Sequence, residues 1–149
     1  LISPVEFVRA TIDGMIQRRW GRIVNIGTGA AKFPVEIRIL SGAPRAALNN
    51  YIVAVSKKVA RHNVVWTDLL PGMHHTAGIE AGFNAMAAAN GRTYDEEVAK
   101  FAREFRIAQG GFGDADDFGV FCALLCSQQA RYVVGQSFVI DGGVGNTTF

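Results

Sequence analysis

Long apolar runs, cysteines and charge are all scarce in this chain of 149 residues. No apolar stretch reaches the roughly 18 residues that a bilayer-crossing helix needs, so no membrane span is expected. Only two cysteines occur, Cys122 and Cys126. Four residues apart, they share one face of a helix, which is poor disulfide geometry. They sit in the apolar run "FGVFCALLC", where cysteine packs as a small hydrophobe. Two reduced core cysteines fit a reducing cytoplasm. Charged residues make up 19% and the net charge is +2, too weak to point to a nucleic-acid partner. Lys57, Lys58 and Arg61 read as the solvated face of a helix. No repeat, linker or secretory signal pattern is visible. His74 and His75 are adjacent, with no carboxylate or cysteine at ligand spacing, so no metal site is expected.

What is present is apolar: 49% of the residues, enough for one domain with a real core. Residues 4–18 read as a helix, with Pro4 in the first turn and Val5, Val8, Ile12 and Met15 or Ile16 at helical spacing. "GRIVNIG" is a short β-branched run, typical of a buried strand. "TGAAKFPVEIRIL" shows no period and reads as a loop. A long helix follows from Ser41 to about His62, with Ser41 as its N-cap and Pro44 tolerated in the first turn. "NVVWTDLL" is a second strand, stopped by Pro71-Gly72. Residues 76–107 read as one or two helices around "NGRT", and Thr93 with Glu96 forms a capping-box pattern. "DADDFGVFCALLCS" is a helix with an acidic first turn. "GQSFVIDGG" is a last strand ending in a turn. Strands alternating with helices argue for an α/β fold with a parallel sheet covered by helices. Three strands make a small sheet, and the first has an apolar outer edge. The expectation is that further chain precedes Leu1, or that a partner covers that edge.

The segments "GMIQRRWGRIVNIGT", "RAALNNYIVAVSKKVARHNV", "LLPGMHHT", "GGFGDADDFG" and "YVVGQSFVIDGG" resemble, in order and spacing, the C-terminal half of the short-chain dehydrogenase/reductase family. The resemblance covers essentially residues 1–149. It implies a Rossmann-like doubly wound sheet of which this chain supplies the last three strands. It also implies a nicotinamide dinucleotide, NAD or NADP, and a homo-oligomer, commonly a homotetramer. The subunits would pair through helices at about 4–18 and 41–62 and through the last strand, where "SFVI" is apolar. No G-x-x-x-G-x-G pattern opens a helix here. "GTGAAKFP" stands at the fifth-strand position and is followed by a loop. The family's active-site asparagine would precede Leu1.

The family works with Ser, Tyr and Lys. Thr28 falls at the serine position, Ser41 at the tyrosine position and Arg45 at the lysine position. A threonine hydroxyl makes the same hydrogen bonds as serine. A serine is a far weaker acid than a phenol of pKa about 10, and arginine holds its charge without shuttling a proton. Tyr51 is no substitute, since ten residues along a helix span roughly 15 Å. Arg45 is a candidate for ribose or anion contact, and Ser41 reads equally as a cap. Pro71, Gly72 and Thr76 preserve the family's P-G-x-x-x-T, which implies a turn beside the nicotinamide. Met73, His74 and His75 fall at the start of the substrate loop. Residues 77–107 would form its variable cap, where Phe83, Met86, Tyr94, Phe101 and Phe105 suit either an apolar substrate or helix packing.

Three readings follow. The first is an NAD(P)-dependent oxidoreductase acting on a carbonyl or alcohol with an atypical site. The second is a catalytically inactive subunit or binding module on the same fold. The third is a lyase resembling halohydrin dehalogenases, which share the arginine of Arg45 but keep the tyrosine that Ser41 replaces.

Overall fold

The computed structural model describes residues 1–145. Its elements are α1 (Ile2–Gln17), β1 (Gly21–Ile26), α2 (Ile39–Val59), β2 (Val64–Pro71), α3 (Ala77–Ala89), α4 (Tyr94–Glu104), α5 (Ala115–Leu125) and β3 (Ser137–Ile140). The three strands form one parallel sheet in the order β1-β2-β3. Each crossover contains helix, as parallel pairing requires.

The central strand is the apolar run read from the sequence. Every residue from Val64 to Leu70 is buried, because neighbours pair on both sides and helices cover both faces. Alternation along β2 divides its side chains. Trp66 joins Val8, Leu48 and Ile52 under α1 and α2, while Leu69 joins Leu125 and Ala130 under α5. Tyr51 packs edge-on against Trp66, with ring centroids 5.9 Å apart, and so belongs to this core. β1 pairs only with β2 among the described residues, and Ile26 at its end is 58% exposed. The apolar outer edge expected of the first strand is therefore present.

Residues 76–107 form two helices rather than one. Thr93 caps α4 in a full capping box: its hydroxyl accepts from the Glu96 amide, and the Glu96 carboxylate accepts from the Thr93 amide.

Four expectations need correction. Ser41 does not cap α2, which starts two residues earlier at Ile39 with Arg38 in the cap position. The segment 28–40 is not a featureless loop but holds two short 3-10 turns, Gly29–Ala31 and Glu36–Arg38, the second running straight into α2. Pro44 therefore lies beyond the first turn, where its missing N–H leaves the Leu40 carbonyl without a helical partner. Finally, only Cys122 packs toward the core; Cys126 is the C-cap of α5 and exposed, and both are free thiols.

Candidate functional site

Thr28 lies two residues beyond β1 and turns the chain into the first 3-10 turn, where its hydroxyl accepts from the Ala30 amide at 3.4 Å. That turn lies directly beneath α2. A Cβ placed on Gly42 would stand 2.7 Å from the Ala30 carbonyl oxygen, so only glycine permits this approach. The first turns of α2, with Ser41, are thus held against the segment that carries Thr28.

Arg45 reaches back one helical turn to Ser41. Its Nη1 donates to Ser41 Oγ at 2.8 Å and to the Ser41 carbonyl at 3.2 Å. Both residues lie on the α2 surface.

Past β2, the Gly72 amide donates to the Ile140 carbonyl at 2.8 Å, tying the Pro71–Thr76 turn to the end of β3. The turn separates two clefts. The first is lined by Thr28, Phe33, Arg38, Pro71, Gly72, Met73, Phe101, Phe105 and Asp141 among others, and encloses about 140 Å³. Phe101 and Phe105 stack at 4.1 Å to form one wall. Asp141 is engaged through both oxygens: Oδ1 accepts from the Gly143 and Val144 amides, and Oδ2 from the Gly145 amide. The second cleft, of about 270 Å³, is lined by Ile26, Pro71, Gly72, Met73, His74, Thr76, Ile79, Ala115 and Phe118. Here Thr76 caps α3 by accepting from the Ile79 amide at 3.4 Å, which leaves its O–H free to donate. His74 stands edge-on to Phe118 at 5.1 Å, with Nδ1 3.3 Å from the Gly72 carbonyl.

His75 turns the other way. Its Nδ1 shares a 2.7 Å hydrogen bond with the Tyr94 hydroxyl, and its ring packs on Phe112. Burial pushes the Tyr94 phenol up, with Glu80 and Asp95 adding to it. That is the reverse of the tuning an acid–base tyrosine needs.

Below Thr28 the sheet carries one more polar pair. Asp68 is wholly buried on β2, and its Oδ1 accepts from Asn25 Nδ2 at 2.6 Å. Its Oδ2 has no partner among the described residues. Burial raises the Asp68 carboxyl to about 6, against the lowering effect of Asn25. A side chain on Gly27 would press on both carboxylate oxygens, at 3.1 Å.

A family model described as enoyl-(acyl carrier protein) reductase matches residues 1–145. The chain belongs to the short-chain dehydrogenase/reductase family. It is 28% identical over 130 residues to the 3-oxoacyl-[acyl-carrier-protein] reductase FabG of Aquifex aeolicus, covering 87% of this chain and 47% of the relative. It is 27% identical over 146 residues to the NADPH-dependent reductase BacG of Bacillus subtilis, covering 95% and 54%. Among solved structures, L-sorbose reductase from Gluconobacter frateurii, complexed with NADPH and L-sorbose, superposes with a TM-score of 0.89 at 23% identity, over 99% of this chain and 56% of that one. The chain spans about half the length of the curated relatives it matches. The fold is the Rossmann-type sheet of these dehydrogenases, of which the three parallel strands are a part.

Within this short-chain dehydrogenase/reductase chain, the candidate residues divide three ways. Thr28 shares the first cleft with Pro71, Gly72 and Met73. Thr76 and His74 share the second with the same three. Ser41, Arg45 and His75 line neither. Of the aromatic residues read as cap or packing, Phe101 and Phe105 face the first cleft, Phe83 is interior and Met86 is exposed. Arg38 and Asp141 join the first cleft without any signal in the sequence, because tertiary contact alone brings them there. Asp68 did have a signal: a carboxylate in the middle of an apolar strand.

Proposed function

We propose that this chain carries the catalytic side of an NAD(P)-dependent oxidoreductase that interconverts a carbonyl and an alcohol. One observation carries the reading. The clefts that hold Thr28 and Thr76 adjoin at the Pro71-Gly72-Met73 turn, so a substrate beside Thr28 and a nicotinamide beside Thr76 would meet at the rim they share.

The second cleft fits a nicotinamide. Its walls are mainly apolar, suited to a flat ring, and the Thr76 O–H is available to a carboxamide oxygen at its edge. The dinucleotide would supply or accept the hydride. This chain's own residues bind and orient. Thr28 can donate its hydroxyl hydrogen to the substrate oxygen while its Oγ1 still accepts from Ala30. The Ser41 hydroxyl, accepting from Arg45 outside both clefts, keeps its own hydrogen free, so that a proton path through it would run by way of a bridging water. Arg45 places a permanent cation beside that hydroxyl, where a ribose hydroxyl or an anion can take its remaining donors.

One observation favours a second reading, a binding module without turnover. Ser41 and Arg45 engage each other and line neither cleft. The two readings separate on a titration of NADH and NADPH into the full-length protein, followed by fluorescence. Thr76→Ala is expected to weaken nucleotide affinity about tenfold, the scale of one hydrogen bond in a closed site. Saturable binding together with carbonyl-dependent oxidation of the nucleotide supports the oxidoreductase. Binding without turnover supports the module, and no binding of either nucleotide refutes the oxidoreductase.

The proposed assembly is a homo-oligomer. Phe7, 75% exposed on α1, suits one of the helical interfaces. The free thiols Cys122 and Cys126 suit a reducing cytoplasm.

A further inference from the structure

The first cleft combines an apolar interior with one uncommitted cation. Its walls include Phe33, Val35, Met73, Phe101, Phe105 and Ile107. A volume of about 140 Å³ is close to that of an apolar cavity able to take a benzene ring. Three polar side chains line it: Thr28, Arg38 and Asp141. The Asp141 carboxylate accepts from three backbone amides. Arg38 is exposed, and forms no salt bridge or side-chain hydrogen bond among the described residues. Glu36, two residues earlier, shares the neighbouring groove under α2 with Arg38 but does not line this cleft and forms no ion pair with Arg38 among the described residues. The cleft therefore presents one guanidinium without a protein partner, beside a carboxylate whose oxygens face backbone amides, at an otherwise apolar site.

We propose that the substrate is an apolar oxo acid: a carbonyl beside Thr28, a short apolar chain or ring against the Phe101–Phe105 wall, and a carboxylate held by Arg38. The proposal rests on the reading of this cleft as the substrate side. A guanidinium offers a carboxylate two parallel N–H donors, a charge-assisted arrangement that a neutral amide cannot match. The apolar walls exclude the larger, wetter polar substrates, because their hydroxyls would find no partners there.

The test compares two ligands that differ in charge alone, 4-phenylbutanoate and 4-phenylbutanamide. Both are titrated calorimetrically into the full chain, with and without NADPH. The acid is expected to bind about tenfold more tightly than the amide. Arg38→Met is expected to remove that preference while leaving amide affinity within twofold, and Phe105→Ala to weaken both ligands equally. Equal affinity for acid and amide in the native protein, no acid binding at millimolar concentration, or a preference that survives Arg38→Met would each overturn the proposal. Acid preference in a protein that binds no NADPH supports it while refuting the redox reading. NADPH binding without acid preference overturns it and leaves the redox reading standing.

Discussion

In the proposed oxidoreductase Gly42→Ala is expected to lower carbonyl turnover about a hundredfold, and it is expected to lower the melting temperature, although glycine to alanine inside a helix ordinarily stabilises. The usual gain is about 1 kcal/mol. Here the added methyl would meet the Ala30 carbonyl oxygen at 2.7 Å. That oxygen is backbone and cannot rotate aside. Overpacking of this kind costs about 1–3 kcal/mol, so the net change is a loss of about 1 kcal/mol. The larger effect is positional. Either α2 or the Thr28 turn must retreat, and a displacement of about 1 Å at a reacting centre is worth roughly a hundredfold in rate. The second cleft shares no lining residue with Gly42, so NADPH affinity should stay within about threefold. Steady-state kinetics, nucleotide titration and a thermal melt on the same variant give all three values. Unchanged turnover would show that this packing does not position Thr28.

Asp68→Asn is expected to flatten the dependence of stability on pH. The carboxyl of Asp68 rises from 3.8 to about 6 on folding, chiefly through burial. Below pH 4 it is protonated in both states and costs nothing. Between pH 4 and pH 6 the unfolded chain releases this proton while the native protein keeps it, so stability falls as pH rises. Above about pH 7 the loss is complete. A shift of this size corresponds to about 3 kcal/mol, of which roughly half appears between pH 5 and pH 8. The amide variant has no charge to bury and should lose that component. Urea unfolding of both proteins at pH 5 and pH 8 measures it. Identical slopes in the two proteins would show that Asp68 does not titrate on folding.

The architecture was legible because local patterns and global fold agree. Val64 to Leu70 reads as a buried strand and is the central one. Thr93 and Glu96 read as a capping box and form one. The start of α2 was not legible. Ser41 has the chemistry of a cap, but the Val35–Arg38 segment already turns in 3-10 geometry, and the Ser41 oxygen is taken by Arg45. Capping preference is a local signal, and the incoming chain overrode it. The candidate site was half legible. Pro71 to Thr76 is contiguous, so its turn could be read directly. The first cleft is assembled from residues near 28, 38, 72, 101 and 141, and its cation and amide-bound carboxylate emerge only from that assembly. Nothing in the residues around Arg38 sets it apart from any other surface arginine.

Met73 stands in the wall of both clefts. Its side chain is long and unbranched, and packs half-buried against the cluster of Phe83 and Phe112. A ligand in either of the proposed sites would press on this one side chain, and so alter the wall that the other ligand meets. By thermodynamic linkage, any factor by which nucleotide alters substrate affinity is the factor by which substrate alters nucleotide affinity. Coupling between the two proposed ligand sites would therefore pass through Met73, and isoleucine at position 73 is expected to weaken it.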